Sequence, residues 1–278
     1  MRIRRRFAFG TRRTELLSFL TNYGIECEDA HGVSVFYLYE DEENFDAINN
    51  FMKANKSSGM RTAEYTKDEL NSAKWLTVQS TWFHLNPRPD LRRDDDDFLP
   101  KTYDVASIEC HECKKGLKQK WSFIVDKDPK WGARNFFHLK WMRDELFISK
   151  RAENALVANG LTGYEFWDVL RTSGKVIDGV KQLKITSHIA EGLNRDTADG
   201  TFICQVCNME RYYPPKVGVN MYSAKSFEGV QADIVKTKEN IGAGDYIRGL
   251  ILVTQKFRKV VMDEKLDKGL IFEPVTLV

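Results

Sequence analysis

The sequence lacks several features that mark particular classes of protein. Its longest apolar runs, such as residues 249–253, are the length of a strand and far short of the ~20 residues that a transmembrane helix needs. The basic N-terminus is not followed by the apolar stretch and cleavage site of a signal peptide. Lys and Arg number 42 against 40 Asp and Glu, so no global attraction to nucleic acid or membrane is expected. We therefore expect a cytoplasmic protein with no membrane partner.

Catalytic motifs are also missing. There is no HExxH or GxSxG, and the GAGDY stretch at 242–246 lacks the strand and helix that would make it a phosphate-binding loop. The five histidines form no pair with the spacing of metal ligands. We therefore expect a protein that is not an enzyme.

Cysteine is scarce, but its arrangement is informative. Four of the five cysteines form two CxxC pairs, Cys110 with Cys113 and Cys204 with Cys207. Two such knuckles supply the four thiolates of a tetrahedral zinc shell, which leaves no position open for water. We predict a structural Zn²⁺ that staples two parts of the chain together. A redox role and an iron–sulfur cluster are the alternatives, although neither pair opens a convincing helix and the spacing matches no usual cluster. Cys27 is interpreted as a small core residue.

The first part of the chain alternates strand-like and helix-like patterns in the order βαββα(α)β. This order predicts an α+β sandwich of ferredoxin-like type over residues 1–82, with residues 73–80 as its last strand. Arg4 and Arg6 are interpreted as solvent-facing residues of an edge strand. Residues 83–100 contain three prolines and four consecutive aspartates, and we predict a linker there. The acidic run at 94–97 is interpreted as a solvated loop because it lacks the ligand spacing of a calcium site.

The remainder, residues 101–278, contains a predicted internal repeat, with copies at 101–195 and 196–278. Ser149 aligns with Thr254 at an offset of 105 residues, and Gly163 aligns with Gly269 at 106. Each copy reads as a strand, a Ser or Thr helix cap, a short amphipathic helix, a glycine-containing turn and a second strand. The predicted fold class is therefore α+β, with a duplicated strand–helix–strand unit joined by a four-cysteine zinc site.

The CHEC knuckle, the segment starting at Asp144 (DELFISKRAENALVANGLTGYEFWDV) and the CQVC knuckle follow one another over residues 105–215. This layout resembles bacterial immunity-type proteins of polymorphic toxin systems, notably the double-CxxCG group. The glycine that this group has after each knuckle is Lys114 in the first knuckle and Asn208 in the second. The Pro-Val of the group is absent at Trp167 and Asp168, but FEPV at 272–275 restores it. The resemblance implies a non-enzymatic protein that docks on a partner toxin and neutralises it.

The alternative function is a zinc-containing regulatory or nucleic-acid-binding protein. Four lysines surround the first knuckle and could contact phosphate: Lys114, Lys115, Lys118 and Lys120. A strong dependence of binding on salt concentration would distinguish this alternative from docking on a protein.

Overall fold

A computed structural model describes residues 1–88, 95–140, 142–213, 215–242 and 249–278, without the side chains of residues 95–98. The fold is mixed α+β and contains more strand than helix. The chain divides into two compact units: the first is Met1–Leu70 with Val217–Val219, and the second is Asn71–Lys216 with Asn220–Val278. In the part of the chain described, no helix is long and apolar enough to cross a membrane.

The first unit is a four-stranded antiparallel sheet with two helices. Its elements are β1 (Arg2–Gly10), α1 (Thr14–Asn22), β2 (Glu28–Asp29), β3 (Val33–Tyr39), α2 (Phe45–Ala54) and β4 (Met60–Glu64). The strand order is β2-β3-β1-β4, and every neighbouring pair is antiparallel.

One apolar core explains why these elements pack together. Alternate residues of a strand point to the same face, so Phe7 and Phe9 of β1 lie beside Phe36 and Leu38 of β3. Apolar residues at helical spacing in α1 and α2 cover that face: Leu16, Leu20, Phe45, Ile48 and Met52. Cys27 is partly buried against the same core, in agreement with its interpretation as a packing residue.

Two features of the first unit differ from the sequence prediction. β1 pairs with β3 on one side and β4 on the other, so Arg4 and Arg6 lie on a central strand and not on an edge strand. The fourth strand is β4, whose sequence MRTAE is too polar to give an alternating apolar pattern.

The second unit contains most of the remaining elements. α3 (Lys67–Ser72) spans the boundary between the units, and it is followed by β5 (Trp75–Ser80), α4 (Asp95–Thr102), β6 (Tyr103–Asp104), β7 (Lys118–Gln119), β8 (Ile124–Val125), β9 (Phe136–Leu139), β10 (Met142–Ser149), α5 (Lys150–Ala158), β11 (Tyr164–Arg171), β12 (Val176–Ile185), β13 (His188–Ile189), β14 (Thr201–Ile203), β15 (Glu210–Tyr212), β16 (Met221–Tyr222), β17 (Ile234–Thr237), β18 (Ile251–Thr254), α6 (Gln255–Asp263) and β19 (Leu270–Leu277).

These strands form two large sheets and two small ribbons. Sheet I has the order β8-β11-β12-β10-β9, and sheet II has the order β13-β17-β18-β5-β19-β16. Each sheet has its own buried apolar cluster, centred on Phe123 and Phe147 for sheet I and on Tyr222 and Leu252 for sheet II. The ribbons are β6 with β7 and β14 with β15.

The strand at 75–80, predicted to close the N-terminal domain, is β5 of the second unit. It lies between β18 and β19 in sheet II, where Trp75, Leu76 and Val78 are buried. A strand that is apolar on both faces needs neighbours on both sides and cover on both faces. β18 and β19 provide neighbours for β5, and they lie more than 170 residues further along the chain.

The predicted linker at 83–100 belongs to the second unit where the structure describes it. Leu85 and Leu99 are buried in the core of sheet I, and α4 occupies the end of the segment. Residues 89–94 lie outside the described residues, as do the side chains of the acidic run and most of the GAGDY stretch.

Candidate metal centre

The two cysteine knuckles lie at the ends of the two ribbons. Cys110 and Cys113 lie in the connection between β6 and β7, and Cys204 and Cys207 lie in the connection between β14 and β15. Both pairs are followed by a residue in the left-handed backbone region, Lys114 with φ 58° and Asn208 with φ 56°. Each knuckle therefore turns back sharply enough to point two thiols in the same direction.

Backbone hydrogen bonds close both turns. In the first knuckle the Glu109 amide donates to the Lys115 carbonyl at 2.7 Å. In the second, the Cys204 amide donates to the Met209 carbonyl at 3.0 Å. Gly116 makes a close approach in the first knuckle, with φ 85°, and a Cβ atom there would lie 2.4 Å from the Ser107 carbonyl oxygen. Only glycine fits at this position.

The structure brings the four predicted ligands together. Their sulfur atoms all lie within 4.8 Å of one another. The Cys110 and Cys204 sulfurs are 3.9 Å apart, and those of Cys113 and Cys207 are 3.6 Å apart. Four sulfurs bound tetrahedrally at a Zn–S distance of about 2.3 Å would be about 3.8 Å apart. The two measured separations are close to this value and every other pair lies within 4.8 Å, so the four sulfurs could hold one metal ion.

The cluster is shielded from solvent and contains no disulfide. Cys110, Cys113 and Cys204 are buried, Cys207 is partly buried, and all four are free thiols. Met209 packs against the group. Because the shell is closed on all sides by protein sulfur, the arrangement suits a structural metal and offers no position for a substrate.

The thiols of the cluster differ in acidity. Backbone hydrogen bonding from Cys207 lowers the pKa of the Cys204 thiol to about 7, and backbone hydrogen bonding from Cys113 lowers that of Cys110. Burial raises the pKa of the Cys113 thiol to about 12. Adjacent thiolates repel one another, so a bound cation is what allows all four sulfurs to ionise together.

A second polar cluster lies on sheet I and was not predicted from the sequence. The buried Glu145 carboxylate accepts hydrogen bonds from Lys236 at 2.8 Å and from Gln182 at 2.8 Å. Lys236 also donates to Asp144 at 3.2 Å. Gln182 exchanges two hydrogen bonds of 2.8 Å with Gln119. Two adjacent acidic residues that lead directly into an apolar run, as in the segment DELFIS, are the signal that could have indicated this cluster.

The buried histidine near this cluster has a structural role. One ring nitrogen of His138 accepts from the Ser80 amide at 3.1 Å, and the other lies 2.8 Å from the Glu145 carbonyl oxygen. Both nitrogens are therefore engaged by backbone groups. Burial lowers the pKa of this imidazole, which favours the neutral form that this pattern requires.

Comparisons with protein-family models and with curated proteins find no match for this chain. The class of site therefore follows from geometry alone: four cysteines, from two knuckles, that could hold one metal ion.

Proposed function

We propose that this chain is a non-enzymatic, cytoplasmic zinc protein that binds and neutralises a partner toxin, as the resemblance to immunity-type proteins implies. The observation that carries the zinc centre is the spacing of the four sulfurs, which matches a tetrahedral shell. Thiolate ligands in tetrahedral geometry favour zinc or iron–sulfur over harder cations. Zinc is preferred because the four sulfurs lie within 4.8 Å of one another, close enough to share a single ion, and because the spacing of the cysteines matches no usual iron–sulfur cluster.

The zinc centre is tested by measuring metal content. We expect one zinc per chain by plasma mass spectrometry on untagged protein, and loss of that zinc when Cys204 and Cys207 are both replaced by Ser. Cys27→Ser is the matched control, because Cys27 packs in the core of the first unit and should leave the zinc in place. Iron in place of zinc, or metal retained in the double variant, would refute this assignment.

The binding role is tested by co-expressing this chain with candidate toxins of the polymorphic toxin systems to which the resemblance points. We expect co-expression to restore growth of cells that produce the toxin, and the two purified proteins to form a complex whose affinity changes little with salt. Growth inhibition that persists despite soluble expression of this chain would exclude the immunity role. Binding that instead falls steeply with salt and is displaced by nucleic acid would favour the alternative function.

We also propose that the first unit is ferredoxin-like. Its support is the order βαββαβ, with an antiparallel sheet ordered β2-β3-β1-β4 and both helices in one core.

The second unit is proposed to be a duplication. β10, α5 and β11 follow one another as β18, α6 and β19 do, and both helices have nine residues. The central strands β12 and β5 enter their sheets in the same register, with pairs Ser149↔Val180 and Tyr164↔Ile185 in sheet I and Thr254↔Trp75 and Leu270↔Ser80 in sheet II. Two unrelated units would have no reason to share both helix length and strand register.

A further inference from the structure

Two extended segments each run through both sheets of the second unit. Residues 75–80 form β5 of sheet II. The residues that follow them run alongside β9 of sheet I, and the His138 amide of β9 donates a hydrogen bond to the Trp82 carbonyl at 3.0 Å. Residues 176–185 form β12 of sheet I, and the chain then continues as β13 of sheet II, where the Lys236 amide donates to the Ser187 carbonyl at 2.9 Å. We call residues 75–84 and 176–189 the crossing segments.

The crossing segments interlock the two sheets. β5 is hydrogen-bonded between β18 and β19, and β12 between β10 and β11. Separating the sheets would break the pairing of residues 82–84 with β9 and of residues 187–189 with β17, and it would part Lys236 from Glu145. These connections do not involve the cysteines, so the two sheets have links besides the zinc staple that the sequence predicts.

The ends of the two ribbons, which contain the cysteine knuckles, have almost no apolar core of their own. We define tip 1 as residues 107–116 and tip 2 as residues 203–209. Within them the buried side chains are those of the cysteines Cys110, Cys113 and Cys204. Ile203 and Val206 of tip 2 are 55% and 67% exposed. A two-stranded ribbon without such a core is only marginally stable in water.

The bases of the ribbons are anchored differently. Tyr103 of β6 packs edge-on against the buried Phe123, and Gln119 of β7 bonds to Gln182 in sheet I. Tyr212 of β15 is buried in the core of sheet II. Contacts with the two sheets hold the bases of the ribbons in place, whereas the tips have only their cysteines to pack together.

We infer that the metal orders the two knuckle tips and nothing else, so that metal binding switches the surface of the tips between an ordered and a disordered state while the interlocked sheets stay folded. The inference rests on the proposed zinc centre and adds a form of regulation to it. A metal bound by both knuckles replaces the missing core with four bonds, and the free energy of metal binding becomes the folding free energy of the tips. A local opening of this kind does not require unfolding of the rest of the unit.

Amide hydrogen exchange on the full-length chain, followed residue by residue by NMR, tests this inference. The zinc-loaded protein is compared with the same protein after zinc removal by EDTA under reducing conditions. We expect the amides of Glu109, Cys204 and Asn208, which are hydrogen-bonded within the tips, to exchange more than about a hundredfold faster without metal. The amides of His138 and Lys236, which bond to the crossing segments, should keep their protection.

Two results would overturn the inference. Loss of protection at His138 and Lys236 would mean that the metal holds the whole unit, as a staple does. Unchanged exchange in the tips would mean that they are ordered without metal. The variant with Cys113→Ser and Cys207→Ser, which needs no chelator, should reproduce the pattern of the EDTA-treated protein. Metal content measured on the starting sample separates the two proposals, because a chain without zinc refutes the metal centre itself.

Discussion

Lys114 and Asn208 each follow the second cysteine of a knuckle, and they differ in how readily they adopt the backbone conformation of that position. Both adopt left-handed backbone with φ near 57°, where the double-CxxCG group has glycine. Asn enters this region readily because its short side chain bonds locally, whereas for a long side chain such as Lys it costs about 1–2 kcal/mol. Lys114 is therefore the poorer fit of the two, and the first knuckle adopts the turn nevertheless.

Relieving this strain should strengthen metal binding. We expect Lys114→Gly to raise zinc affinity about fivefold, which corresponds to roughly 1 kcal/mol. Asn208→Gly is the matched control and should change the affinity by less than about twofold, because Asn already tolerates the conformation. Competition with a chromophoric zinc chelator measures both. Weaker zinc binding in Lys114→Gly would show that the lysine side chain supports the knuckle.

At the scale of elements, the sequence predicted helix caps correctly where the cap involves residues only three positions apart. The predicted caps of α5 and α6 are confirmed, because the Ser149 hydroxyl accepts from the Ala152 amide and the Thr254 hydroxyl from the Phe257 amide. A cap depends on atoms three residues away, so the sequence contains the whole interaction. α1, in contrast, follows Arg13 and begins without a side-chain cap bond.

Strands were harder to place than helices. β4 was missed because its exposed face and polar composition hide the alternation. β5 was recognised as a strand but assigned to the wrong sheet, because the alternation of a strand shows which faces are buried and not which strands are its neighbours.

At the scale of the second unit, Lys236 links the two sheets through two ion pairs. Lys236 belongs to β17 of sheet II, and its partners Glu145 and Asp144 belong to β10 of sheet I. Burial alone would raise the pKa of the Glu145 carboxyl, but the charges of Lys236 and Lys184 outweigh it and lower this pKa. The pKa of Lys236 is raised by Asp144 and Glu145 in spite of its burial.

Removing the cation should destabilise the protein in a pH-dependent way. We expect Lys236→Met to lower the free energy of unfolding by about 3 kcal/mol at pH 7, because it leaves a buried carboxylate without its main partner. A carboxyl whose folded pKa is lowered contributes stability above its unfolded pKa and loses it as pH falls through the folded value. The difference between wild type and variant should therefore shrink on acidification, as Glu145 becomes neutral.

Urea denaturation at pH 7 and at pH 4 measures this difference. Lys259→Met provides the matched control, because Lys259 pairs with Asp263 on the exposed face of α6, where an ion pair contributes at most about 0.5 kcal/mol. Equal destabilisation of Lys236→Met at both pH values would show that the lost lysine acted through packing and not through charge.

The sequence by itself determined the features that depend on near neighbours. The two-residue spacing within each cysteine pair indicated the four cysteines that could hold a metal ion, and the helix caps and the glycine turns indicated the strand–helix–strand units. Only the tertiary structure decided which distant parts meet. The pairing of β5 with β19 and the contact of Lys236 with Glu145 join residues more than 90 positions apart. Contacts at such separations depend on the packing of complete sheets, and no local pattern in the chain specifies them.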